Sequence, residues 1–157
     1  MPVSTIMLTP VPTPDQQMQA NFQMILGGPR QMVEIGLPDA FVASLAQQNL
    51  PVNAPHIGMC LIDTGASNTC IDRGVAVTLG LPIINRMQVQ TPAGSVNQDV
   101  FATRLTFPGA LLPPLTFLAA CGAELMNQGI CALIGRDFLA NKILIYDGIL
   151  NKYSISW

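Results

Sequence analysis

Asp63 ends an apolar run, Met59-Cys60-Leu61-Ile62, and opens the segment Asp63-Thr64-Gly65-Ala66-Ser67. A carboxylate carried by a buried strand into a tight loop can move protons on and off a bound water, provided a second group shares its proton. Gly65 lets the backbone approach that carboxylate where a Cβ would intrude. A second segment, Ala132-Leu133-Ile134-Gly135-Arg136-Asp137-Phe138-Leu139, joins an apolar run to a glycine and a short helical stretch. The other reactive residue types are scattered. His56 has no partner cluster and reads as structural, and Cys60, Cys70, Cys121 and Cys131 show no CxxC spacing. No metal site and no cofactor are therefore expected, and the thiols read as small apolar core residues of a chain in a reducing compartment.

The elements that must position Asp63 can be read around it. Residues 57–62 form the strand that delivers it, and residues 69–71 the next strand, with a tight reversal between them. Asp72 then offers an N-cap to a short helix through Val75, Ala76 and Leu79, which Gly80 and Pro82 terminate. Residues 83–91 and 96–107 read as two strands of a hairpin around Pro92-Ala93-Gly94-Ser95. Further strands are expected at 115–120, 130–134, 143–146 and 152–157, with a short helix at 136–141. Upstream, residues 22–26 and 31–35 flank Gly27-Gly28-Pro29-Arg30 and read as another hairpin. Residues 39–48 carry Phe41, Val42, Leu45 and Ala46 at helical spacing. Residues 1–20, with Pro2, Pro10, Pro12 and Pro14 among polar residues, read as an extended arm, and residues 21–157 as one domain.

Bulk composition narrows the class. Half of the residues are apolar and only 10% are charged, for a net charge of -2. That is ample for a core, excludes a disordered chain, and leaves no basic footprint for nucleic acid. So sparse a charge also suggests surface hidden by self-association. No apolar run reaches the roughly 18 to 20 residues that cross a bilayer. The first basic residue is Arg30, so a secretory n-region is not seen and a cytoplasmic location is the expectation.

The two segments, in this order and separation, resemble those of the retropepsin-like aspartic proteases, the family of retroviral and retrotransposon proteases and their bacterial relatives. The resemblance covers about residues 31–157. It implies an all-β, closed-barrel acid-protease fold with one or two short helices, and a two-fold homodimer that hydrolyses peptide or protein substrates without a cofactor. Such chemistry needs two carboxylates about 3 Å apart sharing one proton. The chain holds a single Asp-Thr-Gly, so two copies of Asp63 would have to meet at a dimer axis. By the resemblance, Asp63, Thr64 and Gly65 are the catalytic set, with the Thr64 hydroxyl bonding across the axis. Ala66, Ser67, Gly94, Leu133, Ile134 and Gly135 line the substrate cleft, and Arg136 braces the active-site loop. The 83–107 hairpin takes the place of a flap with Gly94 near its tip, and the chain ends pair across the axis. Residues 39–56 are an insertion relative to the retroviral pattern, and Ser67 and Asn68 stand where acidic residues are common. A dimer of this fold that only holds a peptide or serves as a scaffold remains the alternative.

Overall fold

A computed structural model describes residues 2–7, 24–91 and 94–157. The chain is mostly β-structure. Its strands are β1 (Val3–Met7), β2 (Arg30–Gly36), β3 (His56–Ile62), β4 (Cys70–Asp72), β5 (Ile83–Thr91), β6 (Gly94–Thr106), β7 (Leu115–Ala123), β8 (Ala132–Ile134), β9 (Ile143–Asp147) and β10 (Lys152–Ser156). Among the described residues, the helices α1 (Asp39–Gln47), α2 (Arg73–Leu79) and α3 (Arg136–Leu139) lie between the strands. None of the described helices is long and apolar enough to cross a membrane.

Seven strands pair in the order β2-β3-β8-β4-β7-β6-β5, and β6 returns to pair with β2 through Glu34↔Thr106, Ile35↔Leu105 and Gly36↔Arg104. β8 lies between β3 and β4, parallel to the first and antiparallel to the second. The chain therefore leaves β3, makes the Asp63 loop and re-enters two places over, with the strand that precedes Gly135 threaded between. Alternation sets the register: Val33 and Ile35 of β2 face inward with Cys60 and Ile62 of β3, Ile71, Phe101, Leu105 and Ile134, all at most 3% exposed. A one-residue slip in any of these strands would turn its apolar set to solvent. The second sheet, β1-β10-β9, joins the same core through Tyr153 and Ile155, and the Tyr153 hydroxyl donates to the Arg30 carbonyl at 3.1 Å.

Two elements depart from the sequence reading, whereas the helical spacing of residues 39–48 is met by a helix. Residues 24–27 form a helical turn instead of a strand, closed by the Gly28 N–H donating to the Met24 carbonyl at 3.1 Å. Gly28 takes a left-handed φ of 65°, as at a helix end. Residues 22 and 23 of the expected strand lie outside the described residues, and among the described ones β2 pairs with the later strands β3 and β6. In the expected arm, Val3–Met7 is extended but paired, antiparallel to β10 of the same chain, with Val3 opposite Ser156. Residues 8–20 of that arm lie outside the described residues. The 39–56 segment folds into α1, which buries none of its residues, and a coil whose Asn53 carboxamide donates to the carbonyls of Thr78 and Leu79 at the end of α2.

Asp72 does more than cap α2. Its 4%-exposed carboxylate accepts from the Val75 N–H at 3.1 Å and from the Leu125 and Met126 N–H groups at 2.9 and 3.0 Å. Burial pushes the Asp72 carboxyl up, but these N–H groups outweigh it and hold it below the ordinary 3.8. The folded state thus gains stability from this carboxylate above the unfolded value and loses it as pH falls through the lower folded one. Asp72→Ala should cost about 2–4 kcal/mol, the sum of a lost cap and stranded N–H groups. In urea melts across acid pH, Asp72→Asn should lose the part of the pH dependence that this group supplies.

Candidate active site

The Asp63 loop is held from behind by the segment that begins at Gly135. β3 ends at Ile62, and the Asp63 N–H donates to the Ile134 carbonyl at 2.9 Å, locking the start of the loop to the end of β8. The Gly65 N–H donates to Asp63 Oδ1 at 2.8 Å, and the Ala66 N–H donates to the Asp63 carbonyl at 3.3 Å. These two bonds fold the loop back on its own carboxylate and fix which way the half-buried Asp63 side chain points. Thr64 and Gly65 are exposed. A Cβ on Gly65 would lie 3.0 Å from Asp63 Oδ1, so the glycine permits the close turn.

Arg136 reads the whole loop. Its Nη1 donates to the carbonyls of Thr64 and Gly65 at 2.9 and 3.2 Å, and its Nη2 donates to the Ser67 hydroxyl at 2.7 Å. Its backbone N–H reaches the Ala66 carbonyl at 2.9 Å, and that of Asp137 reaches the Ser67 carbonyl at 3.2 Å. The planar guanidinium spans three loop residues at once, which the point charge of a lysine cannot do. Arg136→Lys should therefore lower kcat/KM about tenfold by loosening the loop. The melting temperature should stay within about 4 °C of wild type in the same preparation, because the lost bonds are at the surface.

Asp137 holds the far end of the loop. Its Oδ2 accepts from the Thr69 N–H and its Oδ1 from the Thr69 hydroxyl, both at 2.8 Å, and Oδ1 also accepts from the Phe138 N–H. The same Thr69 oxygen accepts from the Gly135 N–H at 3.1 Å. Thr69 is fully buried and Asp137 exposed, so this latch ties the residue before β4 to α3 at the edge of the interior. The sequence marked Arg136-Asp137 as a pair but assigned no work to Asp137 or Thr69, whose meeting depends on β8 threading between β3 and β4.

The remaining expected cleft residues divide. Leu133 is half-buried, whereas Ile134 is 0% exposed and its side chain belongs to the core beneath the loop. Gly135 is also buried, packed so closely on the loop that an added Cβ would lie 2.6 Å from the carbonyl carbon of Asn68. The Ser67 hydroxyl is engaged by Arg136. Gly94 begins β6 at a φ of 118°, opposite Thr91 across residues 92 and 93, which lie outside the described residues. The β5–β6 hairpin stands out from the body, with Ile83, Ile84, Met87 and Val96 exposed, and its root is tied to α2 by Asp99, which pairs with Arg86 and Arg73 at 3.0 and 3.4 Å. His56 lies apart from the loop. It lines a groove of about 420 Å³ between α2 and the coil before β3, and no expected site residue borders that groove.

A family model described as aspartyl protease matches residues 49–138, more than half of the chain and the stretch that contains both Asp63 and Arg136. The chain belongs to the aspartyl protease family. No curated protein matches it. Among the described residues of this aspartyl protease no group of His, Cys, Asp or Glu side chains is arranged to hold a metal ion.

Proposed function

We propose that the protein is a retropepsin-like aspartic endopeptidase acting as a two-fold homodimer, with one Asp63 from each subunit forming a proton-sharing dyad. The observation that carries this reading is the loop itself. The chain's one Asp-Thr-Gly presents its carboxylate on a turn that the Gly65 and Arg136 hydrogen bonds and the close packing of Gly135 brace from behind. One such carboxylate is half of the required machinery, and two-fold symmetry supplies the other half. On this reading the ring of pairings from β2 round to β6 is the closed barrel of the fold. Residues 21–157 form the protease domain with 1–20 as an appended arm, and the four free thiols suit a cytoplasmic setting.

In the reaction, the ionised Asp63 draws a proton from a water as that water attacks the scissile carbonyl. The protonated Asp63 of the other subunit donates to the carbonyl oxygen. As the gem-diol collapses, the proton taken from water passes to the departing amine and the diol hydroxyl formed from the carbonyl returns its proton to the Asp63 that supplied it, so the dyad is again singly protonated. The Thr64 hydroxyls bond across the axis and keep the two loops in register. Ala66, Ser67, Leu133 and Gly135 bound the cleft floor, and the β5–β6 hairpin closes over extended peptide as a flap with Gly94 at its tip. The test is a mixture of peptides of defined sequence incubated with the protein from acid to neutral pH, with products read by mass spectrometry. Endoproteolytic products whose rate rises more steeply than linearly with protein concentration are expected. Tight peptide binding without cleavage at any pH would favour the scaffold alternative.

A further inference from the structure

Immediately after the Asp63 loop, β4 and β7 run parallel and set Cys70 directly beside Cys121. The Cys121 N–H donates to the Thr69 carbonyl at 3.0 Å, so the two strands are clamped at this point. Side chains at paired positions leave the sheet on the same face, and the Cys70 thiol donates to the Asn68 carbonyl at 3.6 Å. Cys121 is 4% exposed, and Cys70, half-buried, is the side from which a small molecule reaches the pair. Strand spacing of about 4.8 Å falls inside the Cα window of about 4.4–6.8 Å that a disulfide requires.

The other two thiols differ. Burial pushes Cys60 up to about 12 and Cys131 up to about 11, which keeps both protonated and inert. The closeness of the two thiols raises Cys70 and lowers Cys121, so the pair yields its first proton more readily than either buried thiol.

We propose that Cys70 and Cys121 are an oxidative modification site, closing to a disulfide in response to a peroxide and slowing the neighbouring active-site loop. One thiolate attacks the peroxide O–O bond, giving a sulfenic acid and, after proton uptake, one water. The partner thiol then attacks the sulfenic sulfur, forming the S–S bond and releasing a second water. The two thiols lose two electrons and two protons, and the peroxide is reduced to water. Adjacent strands lie about 4.7–4.9 Å apart whereas a disulfide holds its Cβ atoms at about 3.5–4.5 Å, so closure draws β4 toward β7. Thr69 moves with β4, and Thr69 is the residue that bonds both Asp137 and Gly135 behind the loop. A bond closed against such resistance is readily reduced again.

The effect on cleavage rests on the peptidase reading, while the disulfide itself does not. The folded chain is treated with hydrogen peroxide, remaining thiols are alkylated after denaturation, and the digest is mapped by mass spectrometry beside a peptide-cleavage assay. The expected result is a Cys70–Cys121 linked peptide with Cys60 and Cys131 alkylated. Cleavage should fall several-fold, recover with dithiothreitol, and be insensitive to peroxide in Cys70→Ala. No linked peptide, preferential oxidation of Cys60 or Cys131, an unchanged rate in the cross-linked protein, or equal inhibition of Cys70→Ala would each overturn the proposal. A reduced chain that cleaves nothing would count against the peptidase reading, and the peptide map would still decide the disulfide.

Discussion

Asp63→Asn is expected to lower kcat/KM by roughly 10²–10⁴-fold, the usual contribution of a group that transfers a proton in the transition state. The carboxamide keeps an oxygen to accept from the Gly65 N–H, so the loop that this bond closes at 2.8 Å should survive. What the variant loses is the ionised oxygen that takes a proton from water. On the dyad reading the neutral carboxamides have no charge with which to repel one another, so the dimer should persist or tighten. Sedimentation and a melting curve beside the cleavage rate separate these effects. A folded variant that retains wild-type cleavage would remove Asp63 from the mechanism, and an unfolded one would contradict the loop's tolerance of the carboxamide.

The second large effect is on folding. Gly135→Ala would place a Cβ 2.6, 2.7 and 2.9 Å from the Asn68 carbonyl carbon, the Asn68 oxygen and the Thr69 nitrogen. All three are backbone atoms of the segment that leaves the Asp63 loop, and none can swing aside as a flexible side chain would. β8 would have to withdraw, and with it the Ile134 carbonyl that holds the Asp63 N–H and the Gly135 N–H that bonds Thr69. The expected cost is about 2–4 kcal/mol, at the upper end for overpacking because backbone is displaced. Denaturant melts of Gly135→Ala beside wild type measure it, and a midpoint within error of wild type would mean that the two segments are not packed as described.

The parts of the fold legible in the sequence were those written in neighbouring residues. Asp72 followed by Val75, Ala76 and Leu79 and then Gly80 marked α2 at both ends, because caps and helical spacing act within a few residues. The hairpin of β5 and β6 was equally visible, since its turn lies between the two strands it joins. Met24-Ile25-Leu26 misled because three apolar residues carry no period, and the glycines after them end a helical turn as readily as they make a hairpin. The pairing of Val3–Met7 with β10 joins residues about 150 positions apart, which no local signal announces. In the site, Asp63, Gly65 and Arg136 stood out by type and order. The Thr69–Asp137 latch and the Cys70–Cys121 pair did not, because each depends on which strands lie side by side.

The central claim is that one active site takes Asp63 from two chains, and mixed dimers test it most directly. Wild type and Asp63→Asn are refolded together in varying ratio at a fixed total concentration above the dimer dissociation constant, and cleavage is measured for each mixture. If both carboxylates are needed, activity follows the square of the wild-type fraction, and an equal mixture retains roughly a quarter of the wild-type rate. Activity that falls in direct proportion, leaving half at an equal mixture, would mean that each chain works alone and would contradict the account.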